Sequence, residues 1–347
     1  MGIFDGISNY GHEELVFGYD EKTGLRTIIG IHSTAIGPAV GGTRFWNYDS
    51  EEDALFDVLR LSRGMTLKNA AAGLKIGGGK GVIIGDPKKL KSKEFFHAYG
   101  KVVNSLNGTY YTAEDVNINT EDIGYVGEVT KFVTGTHEIS GNPSPFTARG
   151  VFKGMKAGAQ ILYGSDSLKD MVIAVQGLGS VGYALCDWLH KEGAKLKVFD
   201  INSAAVEKAV AEFGATAVAG DEILKTECDF FAPCALGAVI NTKNAKDLNC
   251  KIICGAANNV LLDPATGEVL EALNILYLPD YIVNAGGIIN CEAEVIGRPY
   301  KVEEVNAKVD EIYDTTIKIV KLAKEKNIST YQAAEEYAEE IVKKAKK

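Results

Sequence analysis

The segment from Gly64 to Asp86, GMTLKNAAAGLKIGGGKGVIIGD, carries three lysines and almost no side-chain bulk in its middle. Lys80 stands between Gly79 and Gly81, behind a triple glycine and ahead of apolar Val82-Ile83-Ile84. Glycine admits positive φ and lets a ligand come close, at an entropic cost. These residues point to a crevice floor from which Lys80 projects; two solvated lysines on a glycine-rich loop are the bland alternative. In a dry cleft beside another cation, a lysine loses proton affinity and becomes a usable general base. Lys68, at the end of a helix, is the candidate second cation. Asp115 lies in Tyr111-Thr112-Ala113-Glu114-Asp115-Val116, just past a strand. Polar catalytic groups gather at strand ends that face a crevice, although a lone acid there also serves as a helix cap or turn.

A second constellation, Gly177-Leu178-Gly179-Ser180-Val181-Gly182, matches the dinucleotide fingerprint. Glycine is common in this chain, at 38 residues, so context must carry the assignment. An apolar run, Met171–Val175, precedes the motif, an amphipathic helix with Ala184, Leu185 and Leu189 follows, and Asp200 ends the next strand. Gly177 would make the tight turn, Gly179 would let backbone approach a pyrophosphate, and Gly182 would let helix and strand pack closely. The helix N-terminus, at Ser180 and Val181, would offer N–H donors. Asp200 would accept hydrogen bonds from the adenosine ribose and repel a 2′-phosphate, which favours NAD⁺ over NADP⁺.

Regular elements must hold these groups. Residues 14–20 and 25–32 read as paired strands joined by Glu21-Lys22-Thr23-Gly24. A helix begins at Ser50, with Asp53 forming an approximate capping box and Ala54, Leu55, Val58, Leu59 and Ser62 at helical spacing. Strands at 81–84 and 109–112 flank a helix at 92–105. Turn formers over Ser140–Pro145 mark a candidate hinge. Beyond it come a helix from Thr147 to Leu162, a strand at 171–176, a helix at 181–192 and a strand at 195–200. Short apolar strands follow at 229–231, 251–254 and 275–278, separated by helical stretches, and residues 302–345 are charged and helical. Strands alternating with helices imply a parallel, doubly wound sheet. The expected fold is α/β with two domains. The N-terminal α/β domain covers 1–138, with a C-terminal helix at 328–347 packing back onto it, and a Rossmann-type doubly wound NAD-binding domain covers 139–327.

The 347 residues carry a net charge of −9, with 46% hydrophobic and 24% charged, the balance of a soluble globular protein. An acidic chain argues against nucleic acid or an anionic membrane as partner, since both demand clustered Lys and Arg. The one basic cluster, Lys88-Lys89 with Lys91 and Lys93, reads as a solvated turn. Six cysteines form no Cys-x-x-Cys pair and have no histidine at zinc-like spacing, so free thiols in a reducing compartment are expected and no metal. The N-terminus lacks the basic stretch and apolar core of a secretion signal, and no apolar run reaches membrane-span length. The expected location is cytoplasmic. The five histidines are scattered and read as structural.

Taken together, the chain resembles the leucine and valine dehydrogenases of the glutamate, leucine, phenylalanine and valine dehydrogenase superfamily. The matching stretches are Gly37–Arg44, Arg60–Pro87, Thr112–Val116, Gly141–Thr147, Val175–Gly182, Phe231–Gly237, Gly255–Asn259 and Pro279–Asn290, in one order over almost the whole chain. The resemblance implies that Lys68 binds the substrate α-carboxylate and that Lys80 is the base activating water for attack on an imine. Asp115 would exchange protons with the amino group and the carbinolamine. Gly41, Gly42 and Met65 would line the substrate cleft, and Thr147 and Asn258 would sit near the nicotinamide. The implied reaction passes hydride from Cα of an L-amino acid to NAD⁺, and water then converts the imine to a 2-oxo acid and ammonium, reversibly.

The resemblance also implies a homo-oligomer, commonly an octamer, built through the N-terminal domain as the substrate and oligomerisation domain. Closure of the two domains would exclude water from hydride transfer. The expected side-chain pocket, Val40, Ala113, Ile288 and Cys291, is apolar and unsuited to an acidic substrate. One methylene in such a pocket is worth only about 1–3 kcal/mol, so leucine, isoleucine and valine are not separated. The alternatives are a phenylalanine or other aromatic amino acid dehydrogenase on the same scaffold, and a catalytically silent nucleotide-binding protein. Departures from the family pattern are Asn117-Ile118-Asn119-Thr120, where a Gly-Thr-Thr-like stretch is usual, Val40 and Cys291 in place of Leu and Val, and Phe146 before Thr147.

Overall fold

Half-buried alternation along Glu14–Asp20 (β1) and the apolar run of Leu25–Ser33 (β2) make an antiparallel hairpin, closed by Gly24 at φ 73°. The computed structural model describes residues 2–135, 139–220 and 222–346. Ala39–Trp46 (β3), Gly77–Ile84 (β4) and Tyr110–Ala113 (β5) complete a first sheet of order β1-β2-β4-β3-β5. Strand β4 runs antiparallel to β2 and parallel to β3, and β3 runs parallel to β5.

A helix lies on each face of this sheet. Glu51–Ala71 is capped by Ser50, whose side chain accepts from the Asp53 N–H. Its Ala54, Leu55, Val58 and Leu59 bury against Ile28, Val82 and Ile84. Lys93–Ser105, capped by Ser92, buries Phe95, Phe96 and Tyr99 with Phe45, Ile83 and Tyr110 on the opposite face. Of the basic cluster expected as a solvated turn, Lys91 instead pairs with Asp122, and Lys93 with Glu128 at 2.7 Å. Both acids lie far along the chain, beyond any local pattern.

By contacts the chain divides into two compact units: Met1–Asn142 with Cys291–Tyr300 and Ala338–Lys347, and Pro143–Asn290 with Lys301–Tyr337. The contact boundary falls at Asn142/Pro143 where the sequence suggested 138/139, and the chain returns to the first unit twice, over Cys291–Tyr300 and again from Ala338, where a single return at 328 was expected. Glu138 itself lies outside the described residues.

The second unit holds Val172–Gln176 (β6), Lys195–Phe199 (β7), Thr216–Ala217 (β8), Cys228–Pro233 (β9), Cys250–Ile253 (β10) and Leu276–Tyr277 (β11). They form one parallel sheet of order β8-β7-β6-β9-β10-β11. The order reverses between β6 and β9, and doubly wound sheets bind ligands in the crevice at such a switch point. Ile173 and Val175 pack on one side with Val151, Met155, Leu185 and Leu189 of the helices Ser144–Tyr163 and Ser180–Glu192. Ala174 and Phe231 pack on the other with Ile253 and Leu270. Among the described residues no helix is long and apolar enough to cross a membrane.

Two histidines that look scattered in the sequence meet beneath the helix Glu51–Ala71. The rings of His12 and His32 lie 4.9 Å apart, edge to face. His12 Nε2 is 2.6 Å from Ser62 Oγ, and His32 Nδ1 is 2.8 Å from Thr66 Oγ1. Burial, then the neighbouring His32 ring, lowers His12 to about 3, while burial and the Arg63 cation lower His32 to about 4. Both are held neutral in the fold yet take up protons near 6.5 when unfolded. Their contribution to stability is therefore whole above that pH and is lost as pH falls toward 4. The urea midpoint is expected to drop between about pH 7 and about pH 5, and to drop less in a His12→Asn/His32→Asn protein. Equal pH slopes for the two proteins would contradict the assignment.

Candidate active site

Successive side chains of β4 point to opposite faces, so Gly78, Lys80 and Val82 share the face covered by the helix Glu51–Ala71. A Cβ at Gly78 would stand 2.0 Å from the Thr66 backbone nitrogen and 2.4 Å from its Cα. On the opposite face, a Cβ at Gly79 would meet the Tyr110 ring at 2.8 Å, and one at Gly81 the Tyr99 hydroxyl at 2.5 Å. The atoms that crowd these glycines are the protein's own. The expected crevice floor is instead a central strand buried along its whole length, and Lys80 is 6% exposed.

Lys80 Nζ lies 2.9 Å from Asp115 Oδ2, and Arg44 Nε lies 3.4 Å from the same oxygen. The strand register sets Arg44 opposite Val82, on the face that Lys80 shares. Arg44 Nη1 is 2.9 Å from Asp57 Oδ2, an oxygen that also accepts from the Tyr48 hydroxyl at 2.8 Å. Arg60 Nη2 holds the other Asp57 oxygen at 3.0 Å. Burial alone would raise the proton affinity of Asp115, but Lys80 and then Arg44 outweigh it and hold the carboxyl below its ordinary range. Lys80 and Asp115 were legible in the sequence; Arg44, Asp57 and Tyr48 were not. The available signal was an arginine within a strand, hidden because Gly41 and Gly42 mask β3.

Those two glycines bring β3 against the other candidate residues. A Cβ on Gly41 would meet the Gly79 carbonyl at 1.9 Å and Met65 Cγ at 3.2 Å. One on Gly42 would meet the Glu114 carbonyl at 2.0 Å and Asp115 Cβ at 3.1 Å. Tyr110 fixes the Gly41 carbonyl by donating its hydroxyl at 2.5 Å. Val40 is buried on β3, Ala113 stands opposite Gly42, and Lys68 occupies the last turn of the helix Glu51–Ala71. Cys291 is buried with Sγ 4.0 Å from Ser140 Oγ. Asn117, in the stretch that departs from the family pattern, sits at φ 59° and donates its amide to the Phe45 carbonyl at 3.0 Å. Asparagine tolerates that left-handed conformation.

The second unit contains Ile288, Thr147, Asn258 and the glycine turn. Gly177 turns the chain at φ 102°, and a Cβ on Gly182 would meet the Gly177 carbonyl at 2.0 Å. Nothing lies within 4 Å of a Cβ on Gly179, so the first and third glycines serve the turn itself while the second leaves open space. That space lies at the N-terminus of the helix Ser180–Glu192, whose cap, Gly179, has no side-chain acceptor. Asp200 accepts from the Leu178 N–H at 2.6 Å and from the Asn202 N–H at 2.7 Å, which ties the glycine turn to the end of β7. Bare N–H donors, open backbone and an adjacent acid suit a dinucleotide. Thr147 Oγ1 donates to the Pro143 carbonyl at 3.2 Å, and Asn258 Oδ1 accepts from Asn284 Nδ2 at 2.9 Å.

A buried lysine–aspartate pair in one α/β unit and a doubly wound sheet with a dinucleotide turn in the other are the layout of a dinucleotide-dependent α/β enzyme. Residues 14–133 match the family model "Glu/Leu/Phe/Val dehydrogenase, dimerisation domain", and residues 196–347 match "Glutamate/Leucine/Phenylalanine/Valine dehydrogenase". The chain is 51% identical to the leucine dehydrogenase of Bacillus cereus over 345 residues, 99% of this chain and 94% of that protein. It is 46% identical to the phenylalanine dehydrogenase of Caldalkalibacillus thermarum over 349 residues, 98% of this chain and 93% of that one. The crystal structure of L-tryptophan dehydrogenase from Nostoc punctiforme matches with a TM-score of 0.89 at 42% identity, over 100% of both chains. The chain belongs to the glutamate/leucine/phenylalanine/valine dehydrogenase family and is an amino acid dehydrogenase.

Proposed function

We propose that this protein catalyses the reversible, NAD⁺-dependent oxidative deamination of branched-chain L-amino acids: leucine, isoleucine and valine. The Lys80–Asp115 pair at 2.9 Å carries this reading. Lys68 binds the α-carboxylate. Bound NAD⁺ supplies the acceptor for the Cα hydride. Lys80 takes a proton from the water that adds to the imine carbon. Asp115 exchanges protons with the substrate nitrogen, so that ammonium leaves as the carbinolamine collapses. Gly41, Gly42 and Met65 shape the cleft, and Val40, Ala113, Ile288 and Cys291 receive the side chain. Apolar lining and greater identity to the leucine-acting than to the phenylalanine-acting relative support that substrate class.

Gly177, Gly179, Ser180, Val181 and Gly182 hold the pyrophosphate, Asp200 takes the ribose, and Thr147 and Asn258 face the nicotinamide. The open backbone at Gly179 and the acid beside it support that role. The working form is a homo-oligomer, an octamer built through the first unit, whose Phe4, Phe17 and Tyr19 are exposed apolar groups. Six free cysteines suit the cytoplasm.

A substrate panel tests the assignment. The branched-chain acids are expected to exceed L-phenylalanine in kcat/KM by about tenfold or more, with NAD⁺ preferred over NADP⁺. A lead of that size for phenylalanine would make the enzyme an aromatic amino acid dehydrogenase. Absence of NADH formation with every acid would leave a silent nucleotide-binding protein.

A further inference from the structure

Five side chains alternate in charge across the first unit: Lys80, Asp115, Arg44, Asp57 and Arg60, with contacts of 2.9, 3.4, 2.9 and 3.0 Å. Asp115 Oδ2 is shared, since Lys80 Nζ and Arg44 Nε both address it. A carboxylate paired with lysine alone strengthens that lysine's hold on its proton, which opposes service as a base. A second cation on the same oxygen weakens that hold twice over. It draws off part of the carboxylate's field, and it repels the ammonium form. Asp57 sets how much of Arg44 is left for this task, because it takes one face of the guanidinium and is itself steadied by Tyr48 and Arg60.

We propose that Arg44 and Asp57 are positioning residues that set the proton affinity of Lys80 through Asp115, acting in opposite directions. The proposal rests on Lys80 being the base of the deamination. Other charged groups on the elements around β4 are Asp57, Arg60, Arg63 and Lys68 on the helix Glu51–Ala71, with Glu51, Glu52 and Asp53 in its first turn, Arg26 on β2, Arg44 on β3, and Glu114 and Asp115 after β5. Strand β2 sets Gly30 opposite Lys80, and its His32 is bonded to Thr66 and to the Tyr10 carbonyl. Of these groups, Arg44 lies 3.4 Å from the Asp115 oxygen that Lys80 also addresses.

The pH dependence of kcat/KM for L-leucine tests this in the full-length protein. Arg44→Gln is expected to move the acidic limb up by about one pH unit, because Lys80 then holds its proton more tightly. Asp57→Asn is expected to move the same limb down, because Arg44 is left with more uncompensated charge. Arg44→Lys, which keeps the cation, is expected to leave the limb close to that of the parent protein. A residue that only braced the fold would lower kcat/KM at all pH values and leave the limb in place. That outcome, or shifts of the same sign in the Gln and Asn variants, would overturn the proposal. Should Arg44→Gln fail to fold, Asp57→Asn alone decides, and an unmoved or raised limb counts against it. Lys80→Ala separates the two levels: full activity there removes the base itself. Loss of activity there, with unmoved limbs in the other variants, removes only the role of Arg44 and Asp57.

Discussion

Lys80→Ala is expected to lower kcat for L-leucine oxidation at least about a hundredfold, the low end of what a positioned general base contributes. The substitution removes the group that accepts a proton from attacking water and that lies 2.9 Å from the Asp115 carboxylate. Asp115 is not stranded by the change, because Arg44 remains 3.4 Å from its Oδ2. A buried carboxylate that lost its last partner would cost several kcal/mol of stability, and that cost does not arise here. The loss should therefore appear in kcat with the urea midpoint little changed and nucleotide binding retained. Near-parental kcat would mean that some other group activates the water.

Gly78→Ala should damage the same unit by a different route. Its Cβ would stand 2.0 Å from the backbone nitrogen of Thr66 and 2.4 Å from its Cα, and backbone atoms cannot swing aside as a flexible side chain can. Overpacking of this kind costs about 1–3 kcal/mol, occasionally more. The helix that must yield carries Met65 and Lys68, so KM for leucine should rise as the urea midpoint falls. Gly64→Ala in the same helix is the control. Nothing lies within 4 Å of its Cβ, and alanine's helix propensity predicts a change of about zero to one kcal/mol in the stabilising direction. Equal effects from the two substitutions would refute the packing role assigned to the bare segment.

The doubly wound sheet was legible because its strands are apolar runs between helical patterns, as strands covered on both faces must be. Val172–Gln176, Lys195–Phe199 and the turn between them lie within a residue or so of their expected places. The first sheet was only half legible. Strand β3 and the first half of β4 are built on glycines that depress any strand signal, and groups from other parts of the chain crowd them: the Gly79 carbonyl at Gly41, the Glu114 carbonyl at Gly42, Thr66 at Gly78 and Tyr110 at Gly79. Lys80 stood out for its bare flanks. Arg44 and Asp57 did not, since their meaning lies in a strand register and a helix placement that no local spacing records. The His12–His32 pair was missed for the same reason.

The most direct test of function follows the atoms. With L-leucine deuterated at Cα as substrate and NAD⁺ as acceptor, each turnover is expected to yield one 4-methyl-2-oxopentanoate, one ammonium and one reduced nucleotide carrying the deuterium at the nicotinamide ring. Reduced nucleotide without an equal amount of ammonium, or deuterium lost to solvent, would contradict hydride transfer followed by hydrolysis of an imine at Lys80.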